Sequence, residues 1–174
     1  MAFDDEAARA AQKWAEKLSS TNTMVHCSGD ECGGCGENLA MHSVVEKISG
    51  TTAATDMWYN EVNDPGYDFS DPGFKGGTGH FTQVVWKGST KLGCGVAGMY
   101  AVCRYCEKAG NWMGEFPKNV FPKNENCKGS GGSGGAAPTT PGKDDPSKLG
   151  CDAPEVVVPE AAGYNAAFNK LQLQ

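Results

Sequence analysis

Apolar residues at helical spacing predict an amphipathic helix near the start of the chain, over residues 3–18. They recur every three or four positions and so fall on one face: Ala7, Ala11, Trp14, Ala15 and Leu18. Three acidic residues at the beginning of this segment, Asp4, Asp5 and Glu6, complement the positive end of the helix dipole. A helix with one buried face is therefore expected here.

A second helix is expected over about residues 52–62. Met57 and Trp58 are expected to pack inward, and Glu61 lies one helical turn beyond Met57. Residues 80–86 form a short apolar segment whose period fits a buried helix or a strand.

Turn-forming residues predict loops in the rest of the folded region, and alternating apolar residues predict strands. Asp-Pro-Gly occurs twice within residues 64–79, each time followed by an aromatic residue, which indicates a structured loop. A second loop, rich in Cys and Gly, is expected at residues 28–36. Alternating apolar residues over 91–97 and 99–105 predict two paired strands around a turn at Gly98.

The composition is that of one folded domain. The chain has 174 residues, of which 39% are hydrophobic and 21% charged, enough for a single core plus a tail. The net charge is -6 without any Lys/Arg-rich run, which argues against nucleic acid or an anionic membrane as a partner. No apolar stretch approaches the length of a transmembrane segment, and the acidic residues 1–6 are unlike a signal peptide.

The cysteines suggest disulfides and an oxidising compartment, because their number is even in a Gly-rich, loop-rich chain. They stand at positions 27, 32, 35, 94, 103, 106, 127 and 151. Cys32 with Cys35, and Cys103 with Cys106, also have the CxxC spacing of zinc ligands. These two pairs are much farther apart than in a zinc ribbon, so disulfides are favoured over a four-cysteine zinc site.

The composition changes sharply after Cys127. Residues 128–150 contain GSGGSGG and then a Pro-rich polar stretch, which indicates a flexible linker. Residues 163–173 return to an amphipathic helical pattern, and such a helix needs an apolar surface to pack against. The main folded body is therefore expected at residues 1–127.

Two histidines and two glutamates are the candidates for chemistry: His26, Glu37, Glu61 and His80. Imidazoles and carboxylates bind divalent transition metals or polarise a water molecule. No pair among them has the His-x-x-x-His spacing of a helical metal site. From spacing alone, ordinary hydrogen bonding at the surface remains the alternative.

Four segments carry distinctive motifs, at residues 10–18 (AAQKWAEKL), 35–40 (CGENLA), 57–61 (MWYNE) and 79–89 (GHFTQVVWKGS). In this order they resemble the CAP superfamily of cysteine-rich secretory, venom-antigen and pathogenesis-related proteins. Residues 102–105 (VCRY) resemble the second signature of the family, but the stretch before Gly110 has one residue too many and lacks the usual proline. The resemblance covers roughly residues 3–127.

The resemblance implies an α+β fold, a three-layer α-β-α sandwich with disulfides and a central cleft. In the family a His-Glu-Glu-His tetrad lines this cleft, and the matching positions here are His26, Glu37, Glu61 and His80. Family members bind zinc or magnesium there through the two histidines. His26 and His80 are therefore the candidate metal ligands, and the metal is not expected to be required for folding.

The C-terminal segment resembles a family element that normally stands elsewhere. Family members have a helix of the H-N-x-x-R type before the A-x-x-W-A helix, and residues 164–167 (YNAA) resemble its start. We therefore expect residues 151–174 to pack back onto residues 1–127, as in a circularly permuted domain closed by the GSGGSGG linker. The alternative is the beginning of a truncated second repeat.

The resemblance also implies a secreted, extracellular protein that binds sterols or other lipids in a defence or host-interaction role. Family members bind sterols through the loop before GHFTQ and fatty acids between helices. The matching loop carries Tyr67, Phe69 and Phe74, which could form a ligand site or simply pin the loop to the core. A metal-assisted hydrolase is an alternative, disfavoured because no Ser or Cys nucleophile is paired by motif with either histidine. A protein receptor is a further candidate partner.

Overall fold

The structure, a computed structural model, describes residues 1–42 and 51–123. The expected linker at 128–150 and the segment at 151–174 that was expected to pack back lie outside these residues, as do Cys127 and Cys151. Within the described part, no helix is long and apolar enough to cross a membrane.

A four-stranded sheet forms the centre of the fold. Its strands are β1 (Ala2–Phe3), β2 (Gly36–Met41), β3 (Lys91–Ala97) and β4 (Tyr100–Cys106), in the order β1-β3-β4-β2. β3 and β4 form the predicted antiparallel hairpin, and Gly98 in its turn has a φ of 54°, in the left-handed region. β2 lies antiparallel to β4, and β1 lies parallel to β3. The hairpin is confirmed, whereas the sequence did not predict β1 or β2.

Among the described residues, four α-helices connect or follow these strands along the chain: α1 (Asp5–Thr21), α2 (Thr51–Asn60), α3 (Gly79–Val84) and α4 (Phe116–Asn119). α1 begins two residues later than predicted, because Phe3 belongs to β1 and Asp4 caps the helix. The Asp4 carboxylate accepts a hydrogen bond from the Ala7 N–H at 2.8 Å. The ambiguous segment at 80–86 is helical over most of its length, as α3.

The helices cover both faces of the sheet and produce three layers. α1 buries the five residues predicted for its apolar face. Four of them, all except Ala7, pack on one face of the sheet against Leu39, Tyr100 and Val102. α2 and α3 pack on the other face around Trp58, together with Ala40, Leu92, Ala101 and Tyr105. The predicted α-β-α sandwich is confirmed.

Met57 does not pack inward, contrary to the sequence-based expectation. It is 53% exposed, whereas its neighbour Trp58 is 1% exposed. The buried face of α2 runs through Ala54, Thr55 and Trp58. Because successive helical residues are about 100° apart, Met57 falls outside this face.

Two glycines of β3 bring α1 unusually close to the sheet. A Cβ atom at Gly93 would lie 2.1 Å from the backbone N of Ala8, and one at Gly95 would lie 2.3 Å from Cα of Gln12. The Gln12 side chain then reaches the strand, where Nε2 donates to Val96 O and Oε1 accepts from Val96 N, each at 3.0 Å. Glycine at both positions is therefore needed for this contact between backbones.

Three disulfides join the six cysteines of the described residues: Cys27–Cys32, Cys35–Cys106 and Cys94–Cys103. Within residues 1–42 and 51–123 no cysteine is free. Each CxxC pair is divided between two different disulfides, so the disulfide prediction is confirmed over the four-cysteine zinc site. The Cys94–Cys103 bridge joins directly opposite residues of β3 and β4.

Candidate functional site

Glu61 and His80 form one of two His–Glu pairs, at the beginning of α3. Glu61 follows α2, and its Oε1 lies 2.6 Å from His80 Nδ1. Its Oε2 accepts hydrogen bonds from the backbone N–H groups of His80 (3.0 Å) and Phe81 (2.9 Å). The imidazole also stacks on Trp58, with ring centroids 6.1 Å apart. Glu61 therefore orients the imidazole and also accepts hydrogen bonds from two N–H groups in the first turn of α3.

His26 and Glu37 form the second pair. Glu37 Oε1 lies 2.7 Å from His26 Nδ1 and accepts a hydrogen bond from the Cys27 N–H at 3.1 Å. Its Oε2 lies 3.1 Å from Nη2 of Arg104. The side chains of Glu37 and Arg104 are 4% and 1% exposed, whereas that of His26 is 61% exposed. The exposed His26 imidazole thus contacts a carboxylate that belongs to a buried ion pair.

Arg104 is the residue of the candidate site that the sequence analysis did not single out. It stands directly opposite Glu37 in the β2–β4 pairing, and its Nη1 lies 3.0 Å from Sγ of Cys27. Trp14 packs on the same side and donates from Nε1 to Val25 O at 3.1 Å, next to His26. Burial lowers the pKa of Arg104, and the adjacent Glu37 opposes this. This partnership follows from the β2–β4 register, and no signal in the sequence indicated it because β2 was not predicted.

Asn38 links β2 to the first pair. Successive side chains of a strand point to opposite faces, so Asn38 points away from the side where Glu37 meets Arg104. Its Nδ2 donates to the backbone O of His80 at 3.1 Å and lies 3.3 Å from the Tyr105 hydroxyl. Two consecutive residues of β2 therefore contact the two histidines, Glu37 the side chain of His26 and Asn38 the backbone of His80. The four tetrad positions stand in the structure as two His–Glu pairs.

The donor chemistry at these residues suits a metal ion in part. Both histidines present Nδ1 to a carboxylate, as metal-bound histidines commonly do, which leaves Nε2 for a ligand. Among the residues that the structure describes, however, no group of three or more His, Cys, Asp or Glu could hold a metal ion. Zinc sites use three or four protein ligands. A metal at either histidine would therefore need ligands from water or from a bound molecule.

The 64–79 loop divides its three aromatic residues between the core and the surface. Tyr67 and Phe69 cluster with Phe81 of α3, with ring centroids 5.1, 5.5 and 6.1 Å apart. Phe74 is 56% exposed. Two of the rings thus pin the loop to the core, and Phe74 faces solvent.

The Tyr67 hydroxyl is buried and has no hydrogen-bond partner among the described residues. The backbone of Gly73 approaches it, but not in hydrogen-bonding geometry. A tyrosine hydroxyl is a neutral donor at physiological pH, and burial raises the pKa of Tyr67 further. An unpaired buried hydroxyl costs about 1–3 kcal/mol, which a ligand oxygen at this position would offset.

Two curated proteins illustrate the chain's relatives. It is 41% identical over 128 residues to Protein PRY2 of Saccharomyces cerevisiae, a match that covers 70% of this chain and 35% of PRY2. It is 42% identical over 121 residues to the Golgi-associated plant pathogenesis-related protein 1 of Homo sapiens, covering 66% of this chain and 75% of that protein. The chain therefore spans about a third of the yeast relative's length and three quarters of the human one's.

Comparison with solved structures and with family models agrees with these relatives. The crystal structure of NaASP2 with Zn2+ superposes with a TM-score of 0.57 at 30% sequence identity, covering 73% of this chain and 68% of NaASP2. The model of the CAP family, described as the cysteine-rich secretory protein family, matches residues 1–116. About two thirds of the sequence is thus accounted for by one domain type, and the chain belongs to the cysteine-rich secretory protein (CAP) family.

Proposed function

We propose that this chain is a secreted lipid-binding protein that takes up a sterol at the 64–79 loop. The observation that carries the proposal is the unpaired Tyr67 hydroxyl among aromatic rings. A sterol is a rigid apolar molecule with one hydroxyl group. Small-molecule sites are mostly apolar with a few placed polar groups, and one hydroxyl beside Phe69 and Phe81 fits that description.

Sterol entry requires the loop to move as a unit. Tyr67 and Phe69 pack directly on Phe81, so a ligand must part these rings. The two ends of the loop meet at its base, where a Cβ at Gly77 would lie 2.9 Å from Cγ of Pro65. A loop closed at its base can lift without disturbing the sheet, and the exposed Phe74 would then cover the ligand.

The test is binding of a fluorescent sterol to the wild type and to Tyr67→Phe, which removes only the hydroxyl. We expect saturable binding to the wild type and about five-fold weaker binding to Tyr67→Phe, as the loss of one hydrogen bond implies. A sterane lacking the hydroxyl should bind both proteins equally. Tyr100→Phe is the matched control, because it removes a hydroxyl that donates to Asn22 Oδ1 instead. Equal sterol binding by Tyr67→Phe would exclude the hydroxyl, and no binding to the wild type would refute the proposal.

A Tyr67/Phe69/Phe74→Ala triple variant tests whether the loop as a whole is the site. Its sterol binding should disappear while the circular dichroism spectrum stays that of the folded protein. Saturable binding that survives in this variant would place the lipid elsewhere, for example between helices, where a fatty acid would be the better candidate ligand.

Metal binding at His26 and His80 is the second candidate function. The two Nδ1–carboxylate contacts favour it, because they leave both Nε2 atoms for a ligand. Isothermal titration with Zn²⁺ should show binding to the wild type and none to His26→Ala/His80→Ala. Binding that survives in the double variant would rule these residues out. Release of product from a peptide or ester panel, lost in Glu37→Gln, would favour the hydrolase alternative.

The secreted location rests on the family and on the disulfides. Structural disulfides form and persist in oxidising compartments, and three join the described residues. We expect the protein in the culture medium of a cell that expresses its full gene. Retention in the Golgi, where the human relative's name places that protein, is the outcome that would contradict this.

A further inference from the structure

Three exposed apolar side chains stand on two loops that both contact Gly79: Phe74 in the 64–79 loop, and Trp112 and Met113 in the loop after Asn111. Their exposed fractions are 56%, 63% and 79%. We infer that these three residues, the loop-tip surface, dock onto a zwitterionic lipid bilayer. The inference rests on the proposed lipid binding and specifies where the protein would collect its ligand.

Both loops that carry the loop-tip surface contact Gly79. The Phe74 ring approaches to 3.3 Å from a Cβ position at Gly79. On the other side, Asn111 Nδ2 donates to Gly79 O at 2.9 Å, and Asn111 Oδ1 accepts from Thr82 Oγ1 at 2.6 Å. Trp112 and Met113 follow Asn111 directly. Both loops are thereby anchored to the start of α3.

The exposure of Trp112 is exceptional within the described part of the chain. The three other tryptophans there are 6%, 1% and 2% exposed: Trp14, Trp58 and Trp86. A hydrogen bond from the Glu115 N–H to Trp112 O, at 3.0 Å, closes a tight turn around Trp112 and Met113. This turn orders the backbone that carries the two exposed side chains.

Charge favours a zwitterionic bilayer over a charged partner. The two lysines that border the loops are paired within the chain, Lys75 with Asp71 at 3.0 Å and Lys118 with Glu115 at 3.5 Å. The chain as a whole carries a net charge of -6, which opposes adsorption to anionic lipid. Tryptophan prefers the membrane–water interface, where its ring is amphipathic. Exposed apolar side chains, on a protein whose net charge is negative, therefore suit a bilayer of neutral phosphocholine lipids.

Docking in this orientation would turn the 64–79 loop towards the bilayer, because Phe74 belongs to both the loop and the loop-tip surface. The ring cluster around Tyr67 then lies on the membrane side of the molecule. A sterol could pass from the bilayer to the loop without crossing bulk water.

Tryptophan fluorescence of the full chain tests the inference. Addition of phosphatidylcholine vesicles should shift the emission to shorter wavelength, and brominated phosphatidylcholine should quench it, because Trp112 is the exposed indole of the described residues. Trp112→Ala/Met113→Ala should bind vesicles in a flotation assay at least ten-fold more weakly. Met24→Ala/Val25→Ala is the matched control, since these residues are 46% and 54% exposed at a different site, and it should float like the wild type.

Several results would overturn the inference. The first is a wild-type tryptophan emission that phosphatidylcholine vesicles leave unchanged, and the second is a loss of flotation by Met24→Ala/Val25→Ala as large as that of Trp112→Ala/Met113→Ala. The others are vesicle binding that requires anionic lipid, and a wild-type dimer that Trp112→Ala/Met113→Ala converts to a monomer. Failure of the proposed function is distinguishable, because sterol binding is measured without vesicles. Trp112→Ala/Met113→Ala should keep sterol binding in solution, and Tyr67→Phe should keep vesicle binding.

Discussion

Replacing Arg104 with methionine should strongly destabilise the protein. The guanidinium is 1% exposed and lies 3.1 Å from Glu37 Oε2, whose side chain is 4% exposed. Removing one partner of a buried ion pair costs about 3–5 kcal/mol, because the other charge stays buried without compensation. Glu37 would keep its contacts with the Cys27 N–H and His26, so we expect the lower end of this range, about 3 kcal/mol. The melting temperature should then fall by roughly 10 °C.

Urea unfolding followed by circular dichroism, with the disulfides intact, measures this free energy. Adding Glu37→Leu to Arg104→Met should recover part of the loss, since a buried pair replaced by apolar residues is often close to neutral. Lys118→Met is the matched control, because it breaks a 3.5 Å ion pair whose lysine is 74% exposed and should cost less than about 1 kcal/mol. An Arg104→Met protein as stable as the control, or a double variant whose loss equals the sum of the single losses, would refute the reasoning.

Three further predictions concern the rest of the fold. Gly93→Ala should lower the free energy of unfolding by about 3 kcal/mol, because its Cβ would lie 2.1 Å from the backbone of α1. Gly73→Ala is the control and should be neutral, because the space around Gly73 is open. Equal melting temperatures for the two variants would contradict the close contact of α1 and β3. Burial raises the pKa of Tyr105, so above about pH 10 the unfolded chain ionises first and stability should fall by up to about 1.4 kcal/mol per pH unit. Tyr105→Phe should flatten that decline, and an unchanged slope in alkaline urea titrations would assign it to other groups. If the chain is circularly permuted, as we propose, deleting residues 151–174 should lower the melting temperature and a peptide of that sequence should restore it; an unchanged melting temperature would favour the truncated repeat.

The elements with a strong period were predictable, and those without one were not. All five residues predicted for the inner face of α1 are buried, because the helix packs on the sheet along one face and its apolar pattern is regular. β2 was missed because GENLAM mixes a glycine, a glutamate and an asparagine with its apolar residues. Both polar side chains are buried because of partners outside β2. Glu37 pairs with Arg104 on the neighbouring strand β4, and Asn38 donates to the backbone carbonyl of His80 in α3. Met57 was misplaced because one aromatic neighbour, Trp58, sets the orientation of the whole helix.

The candidate residues were found by resemblance, but their partners were not. Sequence supplies the residue types His26, Glu37, Glu61 and His80, and does not say which glutamate serves which histidine. That pairing depends on β2 register and on the N–H groups at the start of α3, which are tertiary facts. The 64–79 loop shows the same limit, because identical ring types are divided between the core and the surface by backbone turns.

The three disulfides differ greatly in how much they reduce the conformational entropy of the unfolded chain. The loops that they close have sequence separations of 5, 9 and 71 residues. In the chain-entropy treatment, these correspond to about 2.1, 2.6 and 4.4 kcal/mol respectively. Their sum is comparable to the whole stability of a typical domain, which is roughly 5–15 kcal/mol. A thiol reductant should therefore act as a denaturant of this protein, and loss of the Cys35–Cys106 bridge should remove the largest share of its stability.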